Sequence, residues 1–224
     1  MSKAIRERVS LMRKRAVTGS AGVSPAAPPQ AVDMSDVEME WRSRGYLPHC
    51  DGSGLIQSVN YRLFDSLPLA VLEALSRRFP SSEADRIRYA EAYLDAGHGA
   101  CYLRDPKIAR MVENAMLFFD GERYRLLEWS VMPNHVHVIL EPLAGHTLAD
   151  ISHSWKSYTS HEANRMLNRR GSFWWREYFD RYIRDESHLA NAGRYLEQKN
   201  PSPFSSAAWR KRANGPAPAE PRPA

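Results

Sequence analysis

The sequence predicts an α+β fold, with helices packed on one face of an antiparallel sheet. Three observations carry that expectation. Segments of strand character stand apart along the chain, one ending at Pro68 and two flanking Met132-Pro133-Asn134. Helical periodicity fills the intervals between them. The resulting order, strand, helices, strand, strand, helix, strand, helix, is that of helices layered on an antiparallel sheet, and no internal repeat competes with it.

Each element has a local cause. From Gly54 to Phe64 the β-branched and aromatic residues Ile56, Val59, Tyr61 and Phe64 predict a strand, and Asp65-Ser66-Leu67-Pro68 turns it into a helix from Leu69 to about Phe79. Ser82, with Asp85 three residues on, opens a second helix that reaches Asp95 or Ala96 and stops at Gly97-His98-Gly99. Asp105-Pro106 supplies an N-cap and a first-turn proline for a third, whose apolar stripe is Ile108, Met111, Val112, Ala115, Met116 and Phe119. Tyr124 to Val131 and His135 to Leu140 form a hairpin with the proline in its connection, where no ladder donor is needed. Thr147 to Leu167 returns to helical spacing through Leu148, Ile151, Trp155 and Tyr158. Phe173 to Ile183 is dense in aromatics and predicts a strand, and a last helix starts at Asp185 or Ser187 and must stop before Pro201.

Composition narrows the class. With 224 residues, 43% hydrophobic and 25% charged, the chain suits one domain with tails. No apolar run approaches the roughly 18 residues of a membrane span. Cys50 and Cys101 are too few for a disulfide framework or a four-cysteine zinc site. The 31 Lys and Arg exceed the 26 Asp and Glu, giving +5, a balance that admits a polyanionic partner without requiring one.

The excess is uneven. Residues 1–44 read as a disordered basic tail, or as the product of an upstream start codon before Met34, because Lys3, Arg6, Arg8, Arg13, Lys14 and Arg15 precede an Ala/Pro/Gly/Ser stretch that cannot build a core. Residues 45–203 are expected to form the folded domain. Residues 204–224 are expected to be a basic Pro/Ala-rich tail.

The chemistry concentrates in Met132-Pro133-Asn134-His135-Val136-His137-Val138-Ile139-Leu140. Residues two apart on a strand share a face, so His135 and His137 project together. Two adjacent imidazoles make half of a divalent-metal site or a pair of donors to phosphate oxygens; they are also compatible with an ordinary strand holding two satisfied histidines. Ile139 occupies the next position on that face, which disfavours a nucleotide hydrolase needing a third histidine there.

This run resembles the signature of the HUH single-tyrosine transposases, in which two histidines flank a hydrophobic residue. Ser154-Trp155-Lys156-Ser157-Tyr158-Thr159, the run Gly171 to Asp180, Ile183-Arg184-Asp185-Glu186 and, upstream, the run Tyr61 to Pro68 resemble the segments that mark the REP-associated tyrosine transposase branch. The resemblance spans roughly Gly45 to Pro201. It implies a ferredoxin-like antiparallel sheet with extra helices inserted after the first strand. It also implies an enzyme that cleaves and rejoins single-stranded DNA beside hairpin elements through a 5′-phosphotyrosine link, with Mg2+ or Mn2+ held by His135, His137 and one further side chain. A cytoplasmic monomer or homodimer is expected.

Of three tyrosines in the last third, Tyr178 and Tyr182 sit in the aromatic strand, whereas Tyr195-Leu196-Glu197-Gln198-Lys199-Asn200-Pro201 resembles the family helix that carries the nucleophile. The resemblance implies Tyr195. It also implies an amide ligand four residues later, but that position is Lys199, whose ammonium has no lone pair to offer. Gln198, three residues after Tyr195, is the better placed substitute, and Asn200 lies further round the helix. The departure keeps open a second reading, a domesticated hairpin-DNA-binding protein with weakened catalysis. Lys156, Arg165, Arg169, Arg170, Arg176 and Arg184 are candidate phosphate contacts, and Trp155 and Trp174 candidate stacking faces, although interleaved acids make surface ion pairs an equal explanation.

Overall fold

The computed structural model describes residues 40–43, 48–51, 54–198 and 202–213. Of the tails expected at the termini, residues 1–39 and 214–224 lie outside these. A two-stranded antiparallel pair comes first, β1 (Glu40–Ser43) with β2 (Pro48–Asp51). The domain follows as β3 (Gln57–Arg62), α1 (Leu69–Arg78), α2 (Glu83–Asp95), a short 3-10 turn (Tyr102–Arg104) and α3 (Pro106–Leu117). The chain continues through β4 (Tyr124–Val131), β5 (His135–Pro142), α4 (Leu148–Met166), β6 (Phe179–Tyr182), α5 (Glu186–Gln198) and α6 (Ser206–Ala213).

The main sheet runs β4-β5-β3-β6 and is antiparallel throughout. Numbered within this sheet, the order is second, third, first, fourth. With helices linking first to second and third to fourth strands, that is the ferredoxin-like arrangement. Its cause is two-sided burial of the central pair. In β5, Val136, Val138 and Leu140 enter the main core, while His135, His137 and Ile139 face the other way. A bulge between Leu126 and Glu128 inserts one residue into β4, so Leu126 and Trp129, three apart, both reach the main core.

Helices α3 and α4 cover that core face. Asp105 caps α3, its carboxylate accepting from the Lys107 N–H at 2.8 Å with Pro106 in the first turn. Thr147 caps α4 by accepting from the Asp150 N–H at 3.1 Å. Ile108, Val112 and Met116 meet Leu148, Ile151 and Trp155 across the interface. Burial of this aliphatic and aromatic layer supplies most of the driving force, at about 25 cal/mol per Å2 removed from water.

The opposite face has its own helix. On α5, Leu189 and Leu196 pack against Leu127 and Ile139. The two helices of the ferredoxin-like core thus share one face, and the last helix takes the histidine face.

Three stretches differ from expectation. The aromatic run 173–183 is regular strand only at Phe179–Tyr182, because Phe173 and Trp174 are consecutive and both buried, which alternation forbids. They join the end of β3 through a single bridge, Leu63 to Trp174. The strand pair β1/β2 straddles the boundary placed at residue 45. Helix α6 stands inside the stretch read as a C-terminal tail. Before it, residues 202–205 run along the edge of β4, the Val131 N–H donating to the Phe204 carbonyl at 3.0 Å, and Trp209 packs against Trp129. The Ala-rich start of α6 favours helix, and its aromatic anchor holds it to the sheet.

Candidate active site

Three elements converge on the histidine face. The imidazoles of His135 and His137 approach through their Nε2 atoms at 3.0 Å. Asp95, the last residue of α2, brings Oδ1 to 3.5 Å from His135 Nε2. From α5, the Tyr195 hydroxyl donates to Asp95 Oδ2 at 3.4 Å, and its ring stands edge-on to that of His137 with centroids 5.8 Å apart. Ligand atoms of Asp95, His135 and His137 all lie within 4.8 Å of one another.

The histidine tautomers follow from the neighbours. The Asn134 amide nitrogen donates to the His98 carbonyl at 2.8 Å, so its Oδ1 accepts. That oxygen lies 2.7 Å from His135 Nδ1, which therefore carries the hydrogen. Neutral His135 then presents a bare lone pair at Nε2, and the 3.0 Å contact is a hydrogen bond donated by His137 Nε2. Burial favours the neutral forms. It holds His135 well below the ordinary imidazole range, assisted by repulsion from His137, and lowers His137 to about 4. Burial also raises the Asp95 carboxyl, against the opposing hydrogen bond from Tyr195.

With the His137 hydrogen moved from Nε2 to Nδ1, which frees both Nε2 lone pairs, this donor set fits a divalent cation. Two cis ligand nitrogens at about 2.1 Å from a metal stand about 3 Å apart, the spacing of the imidazole nitrogens, and a carboxylate oxygen adds the hard third donor.

The residues singled out in the sequence fare differently. His135, His137 and Tyr195 come together. Gln198 is exposed at the end of α5, while Lys199 and Asn200 lie outside the described residues. A carboxylate beside the imidazoles comes from Asp95, which sequence reasoning missed, since a lone acid ending a helix carries no signal for a partner forty residues away. Asn134 was legible as part of the Met-Pro-Asn-His run, but not its hydrogen bonds.

The aromatic stacking candidates need correction. Trp155 is 2% exposed, stacks on Tyr61 and donates from Nε1 to the Tyr124 hydroxyl at 2.9 Å, so neither ring face is open to a base. Trp174 is likewise buried and donates to Thr159 Oγ1. Among the basic candidates, Lys156 donates to the Arg176 carbonyl at 2.6 Å, Arg165 pairs with Glu162, and Arg176 is exposed beside Glu177. Arg165, Arg169 and Arg170 share a cleft at the C-terminal end of α4, the helix on the face away from the histidines. Arg184 lies over Tyr182 and shares a second cleft with Arg181 and His188.

Residues 107–199 match the family model described as transposase IS200 like. No curated protein matches the chain. Among solved structures, one of a REP-associated tyrosine transposase bound to a REP hairpin is 16% identical, with TM-score 0.48, covering 80% of this chain and 89% of that one. Another, of a protein from Deinococcus radiodurans R1 provisionally described as a transposase, is 15% identical, with TM-score 0.31 and coverage of 72% and 98%.

Proposed function

We propose that the chain, whose residues 107–199 match the family model described as transposase IS200 like, acts as a transposase of that kind and nicks and rejoins single-stranded DNA beside hairpin elements, with Tyr195 as nucleophile. The observation that carries this reading is the convergence of the Tyr195 hydroxyl, the Asp95 carboxylate and two neutral imidazoles from α5, α2 and β5. Phosphoryl transfer to a tyrosine needs that combination: an oxygen nucleophile, an acceptor for its proton, and a site for the charge on the phosphate.

The chemistry balances with these groups. Tyr195 Oη forms a bond to phosphorus as its proton passes to Asp95, and the bond from phosphorus to the 3′-oxygen breaks. The 3′-oxygen leaves with the electron pair and takes a proton from solvent, so the 5′ side of the break stays on the tyrosine. His135, His137 and Asp95 would hold a divalent metal, which when bound supplies positive charge to the non-bridging and leaving oxygens. Asn134 keeps the His135 lone pair aimed into the site. Rejoining reverses the exchange, since the phosphotyrosyl link conserves the phosphodiester bond energy.

The test is incubation of the protein with single-stranded hairpin DNA and Mn2+, with the covalent adduct resolved on a denaturing gel. An adduct is expected from the wild type and none from Tyr195→Phe. An adduct of equal yield from Tyr195→Phe overturns the assignment. Hairpin binding that persists in chelator, with no adduct under any metal, favours the second reading of a domesticated binding protein, the one that Lys199 at the expected amide position supports.

A further inference from the structure

The histidine face continues past the end of β3. Arg62 lies opposite His135 in the antiparallel register, so both side chains leave the same face. Beyond it the chain pairs with residues 173–175: the Phe64 N–H donates to the Phe173 carbonyl and the Trp175 N–H to the Arg62 carbonyl, both at 2.9 Å. Leu63 and Trp174, joined by a bridge, turn into the core. Alternation puts Arg62, Phe64 and Trp175 on the histidine side.

These three side chains gather around the Trp175 ring. The Arg62 guanidinium lies 4.4 Å from the Trp175 ring centroid, and the Phe64 ring is 5.6 Å from Trp175 at 33°. Phe64 is 50% exposed, so its outer side is open. Arg62 is only 8% exposed, yet among the described residues its guanidinium makes one hydrogen bond, to the neighbouring Leu63 carbonyl at a long 3.4 Å. Among the described residues no carboxylate lies within ion-pair distance of it, in contrast to Arg110, Arg125 and Arg165. A guanidinium has five N–H donors, and a largely buried one that satisfies a single carbonyl is costly unless an anion comes to it. Burial lowers its pKa only to about 10, so it stays charged at neutral pH.

We propose that Arg62, Phe64 and Trp175 form the seat of an unpaired nucleotide adjoining the histidine pair. The base stacks on Phe64, and the phosphate takes the guanidinium donors that face no carboxylate. The register sets the neighbouring phosphate beside His135, which makes the seat a device for positioning the strand at the cleavage site. This rests on the single-stranded DNA reading above.

Binding separates the two. The probe is a fluorescently labelled single-stranded oligonucleotide of randomised sequence, titrated by anisotropy at several salt concentrations with each variant's fold checked by circular dichroism. Phe64→Ala, at an exposed position that tolerates the change, is expected to weaken binding about tenfold, the loss of one stacked base. Arg62→Gln is expected to weaken binding and to flatten the salt dependence by about one phosphate contact. Wild-type binding that neither variant diminishes overturns the seat and leaves the transposase reading standing. A wild type that binds no single strand overturns both.

Discussion

The Asp95 carboxylate bridges two groups far apart in the chain: Oδ2 accepts from the Tyr195 hydroxyl at 3.4 Å across one hundred residues of sequence, and Oδ1 stands 3.5 Å from His135 Nε2. A single side chain thus meets both the tyrosine hydroxyl and the imidazole pair, and it comes from a helix inserted between the first two strands of the sheet.

If Asp95 is the third donor, its removal should be felt by the ion itself. Asp95→Asn is expected to weaken Mn2+ binding at least about tenfold, roughly 1.4 kcal/mol, by calorimetry without DNA. Gln198→Ala should leave it within twofold. The reverse ranking would return the third donor to α5.

Asn134 locks the His135 tautomer, so Asn134→Ala should lower metal affinity by roughly 10–100-fold, as loss of an orienting partner does. Far-UV circular dichroism should stay native, and the adduct assay should need correspondingly more Mn2+. An unchanged metal requirement would mean that the imidazole is oriented by packing alone.

Helix α5 carries Tyr195 and is held to the sheet by Leu189 and Leu196. Leu196→Ala should cost roughly 2–5 kcal/mol by denaturant unfolding. At temperatures where the variant is folded, adduct formation should fall further than DNA binding, because the tyrosine loses its fixed approach while the seat at Phe64 is untouched. Equal losses in both would place α5 in DNA contact instead.

Acid should destabilise the metal-free protein through the histidines. His137 is depressed in the folded state to about 4 from an ordinary 6.5. A lowered folded pKa in a base means that folding excludes a proton, so this contribution is complete above pH 6.5 and lost as pH falls toward 4. In chelator, the melting temperature of the wild type should drop more steeply over that window than that of His137→Gln. Parallel curves would show that the imidazole is protonated in the fold.

Much of the architecture was legible because it is written in local terms. Ser82, Asp105 and Thr147 each stand where a helix must begin, and each makes the capping bond its position requires. The His135/His137 pair was legible because strand alternation fixes which side chains share a face. The reading failed where alternation failed, at Phe173 and Trp174, whose consecutive burial ends the ladder, and at Trp155, whose aromatic ring looked available to DNA but belongs to the core.

By itself the sequence determined the α+β order, the hairpin that presents the two imidazoles, and the helix that carries Tyr195, all products of contacts within a few residues. Tertiary structure alone decided that Asp95 stands beside those imidazoles, and that Arg62 and Phe64 gather around Trp175 along the same face. The physical reason is the same in both cases. Periodicity tells which way a side chain points from its own element, whereas a catalytic constellation is set by how a helix and a sheet edge approach one another, and that is governed by packing contacts such as Leu196 on Ile139 that no local pattern encodes.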